Sequence, residues 1–124
     1  MNTLLLSAAA LLGLVALAHS YLGERYILIR LFRRNDLPKL FGNAEFTKRT
    51  LRFAWHITSV MGLGFATLLV TLASPGEGFV RMAAEIISAT CALSGLLAFV
   101  GSRGRHLSWI AFFAIAVLAW LGSH

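Results

Sequence analysis

The chain has 124 residues, of which 58% are hydrophobic and 13% charged, with a formal net charge of +6. Water-soluble domains carry about 25% charged residues, so this composition and a mean hydropathy of +0.77 exclude an ordinary soluble domain and point to a bilayer. At ~20 residues per crossing there is room for about four membrane helices and no separate soluble domain, so residues 1–124 are read as a single integral membrane domain.

The first apolar run, residues 4–22, carries no charge and ends in "LVALAHSYLGER". Ala16-Leu17-Ala18 has the small-x-small form of a signal-peptide cleavage site. However, "MNT" supplies no positive n-region, and cleavage would export the most basic segment of the chain. A retained helix is expected. Beyond Gly23, "YILIRLFRR" mixes apolar and cationic residues, as in a helical extension at headgroup level whose arginines snorkel outward. It should end before Pro38, with "LPKLFG" as a turn, Asn43 as an N-cap and Glu45 in the first turn of the next helix.

Phe46, Arg49, Phe53, His56 and Val60 share one stripe at spacings of three and four. The second helix should therefore start well before its membrane run, residues 53–73, and lay this stripe on the first helix. "SPGEGF" breaks that helix, and Glu77 suits the N-terminus of the third. The third run is 82–100, where Arg81 and Glu85, four apart, are placed to pair. The fourth, 107–122, is at the short edge of the ~17–25 residue range. There is no strand alternation. The expected fold class is all-α, a membrane-spanning four-helix bundle with a basic cytoplasmic helical extension between helices 1 and 2.

Arg25, Arg30, Arg33, Arg34, Lys39, Lys48, Arg49 and Arg52 lie between runs one and two, and Arg103 and Arg105 between three and four. Arg81 is the one cation between two and three. The positive-inside rule then places loops 1 and 3 in the cytoplasm and both termini outside. Arg25, Arg30, Arg33, Arg34, Arg49, Arg52, Arg103 and Arg105 form a lipid-facing basic cluster suited to anionic headgroups, and nucleic acid is not expected as a partner. The one cysteine, Cys91, allows no intrachain disulfide and reads as a small core residue.

His19, His56 and His106 fall near the inner boundary on runs one, two and four, at one depth to within a few Å if each residue rises ~1.5 Å. Glu24 lies at the same level, with Arg52, Arg103 and Arg105 just outside. His124 is at the opposite side and outside the group. Three imidazoles and a carboxylate are ligands for a transition metal. Two histidines on facing helices suit haem b, with arginines for its propionates and Gly62, Gly64 and Gly95 allowing close helix approach. No H-E-x-x-H, C-x-x-C or paired Glu-x-x-His unit accompanies them. The same residues also read as interhelical hydrogen-bonding groups beside an aromatic belt, or as a proton or substrate path. Ser20, Thr58 and Ser59 should hydrogen-bond between helices. No serine or cysteine nucleophile stands out with a base, so enzymatic activity would need a cofactor.

"HSYLGE", "RFAWHITS" and "RHLSW" together resemble small four-helix bacterial inner-membrane proteins of uncharacterised function. That resemblance implies the architecture and no activity. Three functions follow as candidates: a metal or haem carrier using His19, His56, His106 and Glu24; a structural or accessory subunit, with a membrane-protein partner or further copies of itself; and a small oligomeric transporter. Four-helix multidrug exporters depend on a carboxylate deep in the first helix, and residues 4–22 contain none.

Overall fold

The computed structural model covers Met1–His124 and is all-helical. Helix α1 spans Thr3–Leu31, α2 Glu45–Ala73, α3 Phe79–Ser102 and α4 Ser108–Ser123. By length and composition α1, α2 and α3 are each able to cross a membrane. With 16 residues, α4 rises ~24 Å at ~1.5 Å per residue, short of a ~30 Å hydrocarbon core.

The helices pack in chain order, α1 on α2, α2 on α3 and α3 on α4. No backbone approach links α1 to α3 or α4, or α2 to α4. The expected bundle is thus an open row. Small side chains set its spacing, as they do where helices cannot gain from hydrophobic burial alone. Ala9 and Ala16 are buried on α1, and a Cβ on Gly62 would stand 3.1 Å from that of Ala16. At the α2–α3 crossings Gly64 faces Thr90, and a Cβ on Gly101 would lie 2.7 Å from Phe53. Between α3 and α4, Gly95 lies under Phe112 and Phe113, and Ser88 Oγ donates to the Ala116 carbonyl at 2.7 Å. Cys91 is buried on α3. The outer faces stay apolar: Leu4, Leu14 and Leu17 on α1 and Val117, Leu118 and Leu121 on α4 are all more than half exposed.

Helix ends follow from local chemistry. Asn2 caps α1 with its side chain, accepting from the Leu4 and Leu5 N–H groups at 3.0 and 3.2 Å, while its own N–H bonds the Ala73 carbonyl at 2.8 Å. The start of α1 is thereby tied to the end of α2. The basic extension continues α1 to Leu31, through a π-helical turn over Gly23–Leu28. A tight turn follows, with Phe41 and Gly42 at φ 57° and 90° and Leu40 bridged to Asn43. Asn43 accepts from the Glu45 N–H at 3.0 Å, although Ala44, one residue on, holds the N-cap position.

The stripe on α2 divides in two. Phe46 and Phe53 turn toward His106 and α3, and His56 turns toward α1. The expectation that the whole stripe packs on the first helix is corrected accordingly. A helix held between two neighbours buries both flanks of one apolar stripe.

Candidate functional site

The motifs "HSYLGE" and "RFAWHITS" interlock along the α1–α2 seam. Trp55 packs against Gly23, where any larger residue would meet the indole. Its Nε1–H donates to the His19 carbonyl at 3.0 Å. That carbonyl also receives the Gly23 N–H, which is shared with the Ser20 carbonyl. The helical ladder loosens at this point, and by Ile29 the N–H reaches back five residues to the Glu24 carbonyl. The π-turn therefore begins where a foreign donor enters the ladder, one of the recognised causes of such irregularities. The His19 ring stacks on Trp55 at 4.6 Å and 6°.

Thr58 Oγ1 donates its one proton to the Trp55 carbonyl at 2.6 Å and so accepts from His19 Nε2–H at 2.8 Å. His19 Nε2 is engaged by this contact. One helical step away, a second series crosses the seam. His56 places Nδ1 2.8 Å from Ser20 Oγ and Nε2 3.2 Å from Glu24 Oε2. Ser20 Oγ is also 2.8 Å from Ser59 Oγ, which is buried. Arg52 holds the other end, its guanidinium 3.0 Å from Glu24 Oε1 and stacked 4.9 Å from the Phe32 ring.

Proton counting gives this series two arrangements. A carboxylate only accepts, so with Glu24 ionised His56 Nε2 carries a proton. If Ser20 donates to Ser59, His56 Nδ1 must also carry one and the ring is an imidazolium. A neutral ring instead requires Ser20 to donate to Nδ1 and Ser59 to donate to Ser20. Gain or loss of one proton at His56 thus reverses both hydroxyls. A serine, a histidine and a glutamate in sequence is also the composition of a nucleophilic triad, which was not expected from the spacing. Here, though, Ser20 sits within helix α1, where backbone N–H groups bond along the helix, and its hydroxyl lies against the buried Ser59.

His106 belongs elsewhere. Its ring lies between Phe53, edge-on at 5.3 Å, and Phe46, at 6.1 Å, and Nδ1 is 2.8 Å from Ser108 Oγ. The expected convergence of His19, His56, His106 and Glu24 on one metal is corrected: no group of three such side chains is placed to hold a metal ion, and only His56 and Glu24 meet. Equal depth does not bring rings together when they leave their helices in different directions. Nor do two of the three rings face each other as a haem pair would require: His19 stacks on Trp55, His56 bridges Ser20 and Glu24, and His106 lies between Phe46 and Phe53.

The basic cluster also sorts into different roles. Arg30 lies 5.7 Å over the Tyr26 ring, and Arg34 is paired with Asp36. The Arg34 hydrogen bonds hold the Asp36 carboxyl down at about 2. Arg49, Arg52, Arg103 and Arg105 line cavities at the same end of the row. Lys48, absent from the expected cluster, lines one of them, and its spacing to Arg49 and Arg52 is the signal that could have included it.

At the opposite end Arg81 Nε is 2.8 Å from Glu85 Oε1, the expected pair. It has an unexpected third member. His124 Nε2 accepts from the Arg81 guanidinium at 2.6 Å, with its ring stacked 4.3 Å from Trp120. No protein-family model, curated protein or solved structure matches the chain.

Proposed function

We propose that the chain is a multi-pass protein of a bacterial inner membrane, as its motifs' resemblance suggests, and that it acts as a structural or accessory subunit of a membrane assembly. In this reading the four helices cross the bilayer, both termini lie outside, and loops 1 and 3 lie in the cytoplasm. Three long apolar helices, an open row with apolar outer faces, and basic residues gathered at one end support the membrane reading. The short α4 is accommodated by local thinning of the bilayer.

One observation carries the accessory role. His19, His56 and His106 each close a separate contact between elements, with Thr58 and Trp55, with Ser20 and Glu24, and with Phe46 and Phe53. They hold the row together, and no common centre emerges. Reporters fused after His124 and within loop 1 at Asn35 test the topology. The His124 fusion should report the outside and the Asn35 fusion the cytoplasm; the reverse pattern would refute the reading.

A small oligomeric transporter is the second reading, and the Ser59–Ser20–His56–Glu24 series favours it, because a reversible hydrogen-bond chain at a helix seam is what a proton relay uses. Proteoliposomes bearing the protein would then dissipate a pH gradient faster than those bearing Glu24→Gln. Equal rates would remove this reading.

A further inference from the structure

Two cavities adjoin at the basic end, sharing Glu45 and Arg49 in their walls. One, of about 510 Å³, opens between the end of α1, α2 and α3. The other, of about 300 Å³, lies between the start of α2 and the loop joining α3 to α4. Lys48, Arg49 and Arg52 line the first, and Arg49, Arg103 and Arg105 the second. Arg52 is neutralised by Glu24, and Lys48 lies 4.0 Å from Glu45. Arg49, Arg103 and Arg105 have no carboxylate partner within the protein. Three guanidinium groups without a carboxylate partner around the second cavity call for an anion, and their forked donors match phosphate.

The loop that carries two of them is fixed in place. Arg103 and Gly104 take left-handed conformations, φ 54° and 75°, which turn their N–H groups back to the Val100 and Phe99 carbonyls at 3.2 and 2.8 Å. Trp109 Nε1 donates to the Gly104 carbonyl at 3.2 Å. A non-glycine residue in this region is uncommon and persists where its surroundings hold it.

The wall opposite the cations identifies the anion further. Phe32, Phe53, Leu97 and Val100 line the first cavity beside Lys48, Arg49 and Arg52. A phosphate directly attached to an apolar body fits such a wall. Basic pockets between membrane helices take up anionic headgroups for this reason. We propose that the two adjoining cavities bind an anionic phospholipid, with Arg49, Arg103 and Arg105 of the second on its headgroup phosphate and the chains passing along Leu97 and Val100 of the first. This rests on the membrane reading above and narrows its general basic face to one site.

The test uses the full chain in detergent, with retained lipid counted by native mass spectrometry during titration with phosphatidylglycerol, phosphatidylcholine or inorganic phosphate. Phosphatidylglycerol should be retained, and Arg49→Gln with Arg105→Gln should weaken its binding at least ~10-fold, given that each surface cation contributes appreciably to anionic-lipid affinity. Lys39→Gln with Arg81→Gln removes the same charge from exposed positions outside both cavities and outside the basic cluster, and should change binding less than ~2-fold. Arg103→Gln alone, which removes one guanidinium and keeps the others, should give an intermediate loss with unchanged helix content.

Equal loss in the two double variants, or equal retention of phosphatidylcholine, would overturn the proposal. Displacement of phosphatidylglycerol by millimolar inorganic phosphate would assign the cavities to a free anion and overturn the lipid. A His124 reporter on the cytoplasmic side would instead overturn the membrane reading. Lost lipid preference with that reporter outside counts against this site alone.

Discussion

An arginine, a glutamate and a histidine meet at each end of the row, and the two clusters do different work. At the basic end Glu24 on α1 accepts from Arg52 and His56 on α2, and the series continues through Ser20 to the buried Ser59. It runs along a seam closed by Trp55 on Gly23. At the other end Arg81 and Glu85 are neighbours on one turn of α3, and His124, the last residue, reaches them from beyond α4. No buried hydroxyl extends that cluster. The same three residue types thus bridge two helices beside a close crossing at one end, and join an i,i+4 pair on one helix with a half-exposed arginine at the other.

The sharpest way to break this contrast is to open the seam itself. Gly23→Val places branched carbon against the Trp55 indole and is expected to destabilise by ~3 kcal/mol, the upper range for overpacking. Thermal unfolding in detergent, followed by tryptophan fluorescence, measures it. Trp55→Ala in the same chain should recover part of the loss. Gly13→Ala, with nothing within 4 Å of the added carbon, should cost nothing and, as a mid-helix glycine replaced by alanine, should stabilise α1 slightly.

Next in size is Glu24→Gln, expected to cost ~1–2 kcal/mol by the same unfolding measurement, because it weakens charge-assisted bonds to two partners in a half-buried seam. Arg81→Gln removes an i,i+4 pair with a half-exposed arginine and should cost only ~0.3–0.5 kcal/mol.

The smallest effect is expected in loop 1, where Arg34 and Asp36 pair in full exposure to solvent. Asp36→Asn should leave the Tm at neutral pH unchanged within error. The Asp36 carboxyl lies below its ordinary value, so what the pair contributes is present above about pH 4 and lost as pH falls toward 2. Proteolysis of loop 1 across that range would follow it.

Helices were legible in the sequence because length and apolarity act over many residues. The ends of the second, third and fourth runs at 73, 100 and 122 lie within two residues of Ala73, Ser102 and Ser123. Depth along the axis was legible too, which is why Ser20, Glu24, Arg52 and His56 meet. Direction around the axis was not. His106 lies beyond the left-handed turn at Arg103 and Gly104, and that turn swings it toward Phe46 and Phe53, away from His56. Gly23 gave no warning of its role, since a glycine at the end of an apolar run ordinarily marks a helix stop, whereas here it is a slot for an indole inside a continuing helix. The pairing of His124 leaves no local signal, since its partners are 43 and 39 positions away.

The histidines' part in packing is tested most directly by a double-mutant cycle on Glu24→Gln and His56→Gln, run beside one on Arg81→Gln and Glu85→Gln in the same detergent. Coupling of about 1 kcal/mol is predicted for the first pair, and under about 0.5 kcal/mol for the second. Zero coupling between Glu24 and His56, or equal coupling at the two ends, would contradict the view that this seam holds α1 on α2.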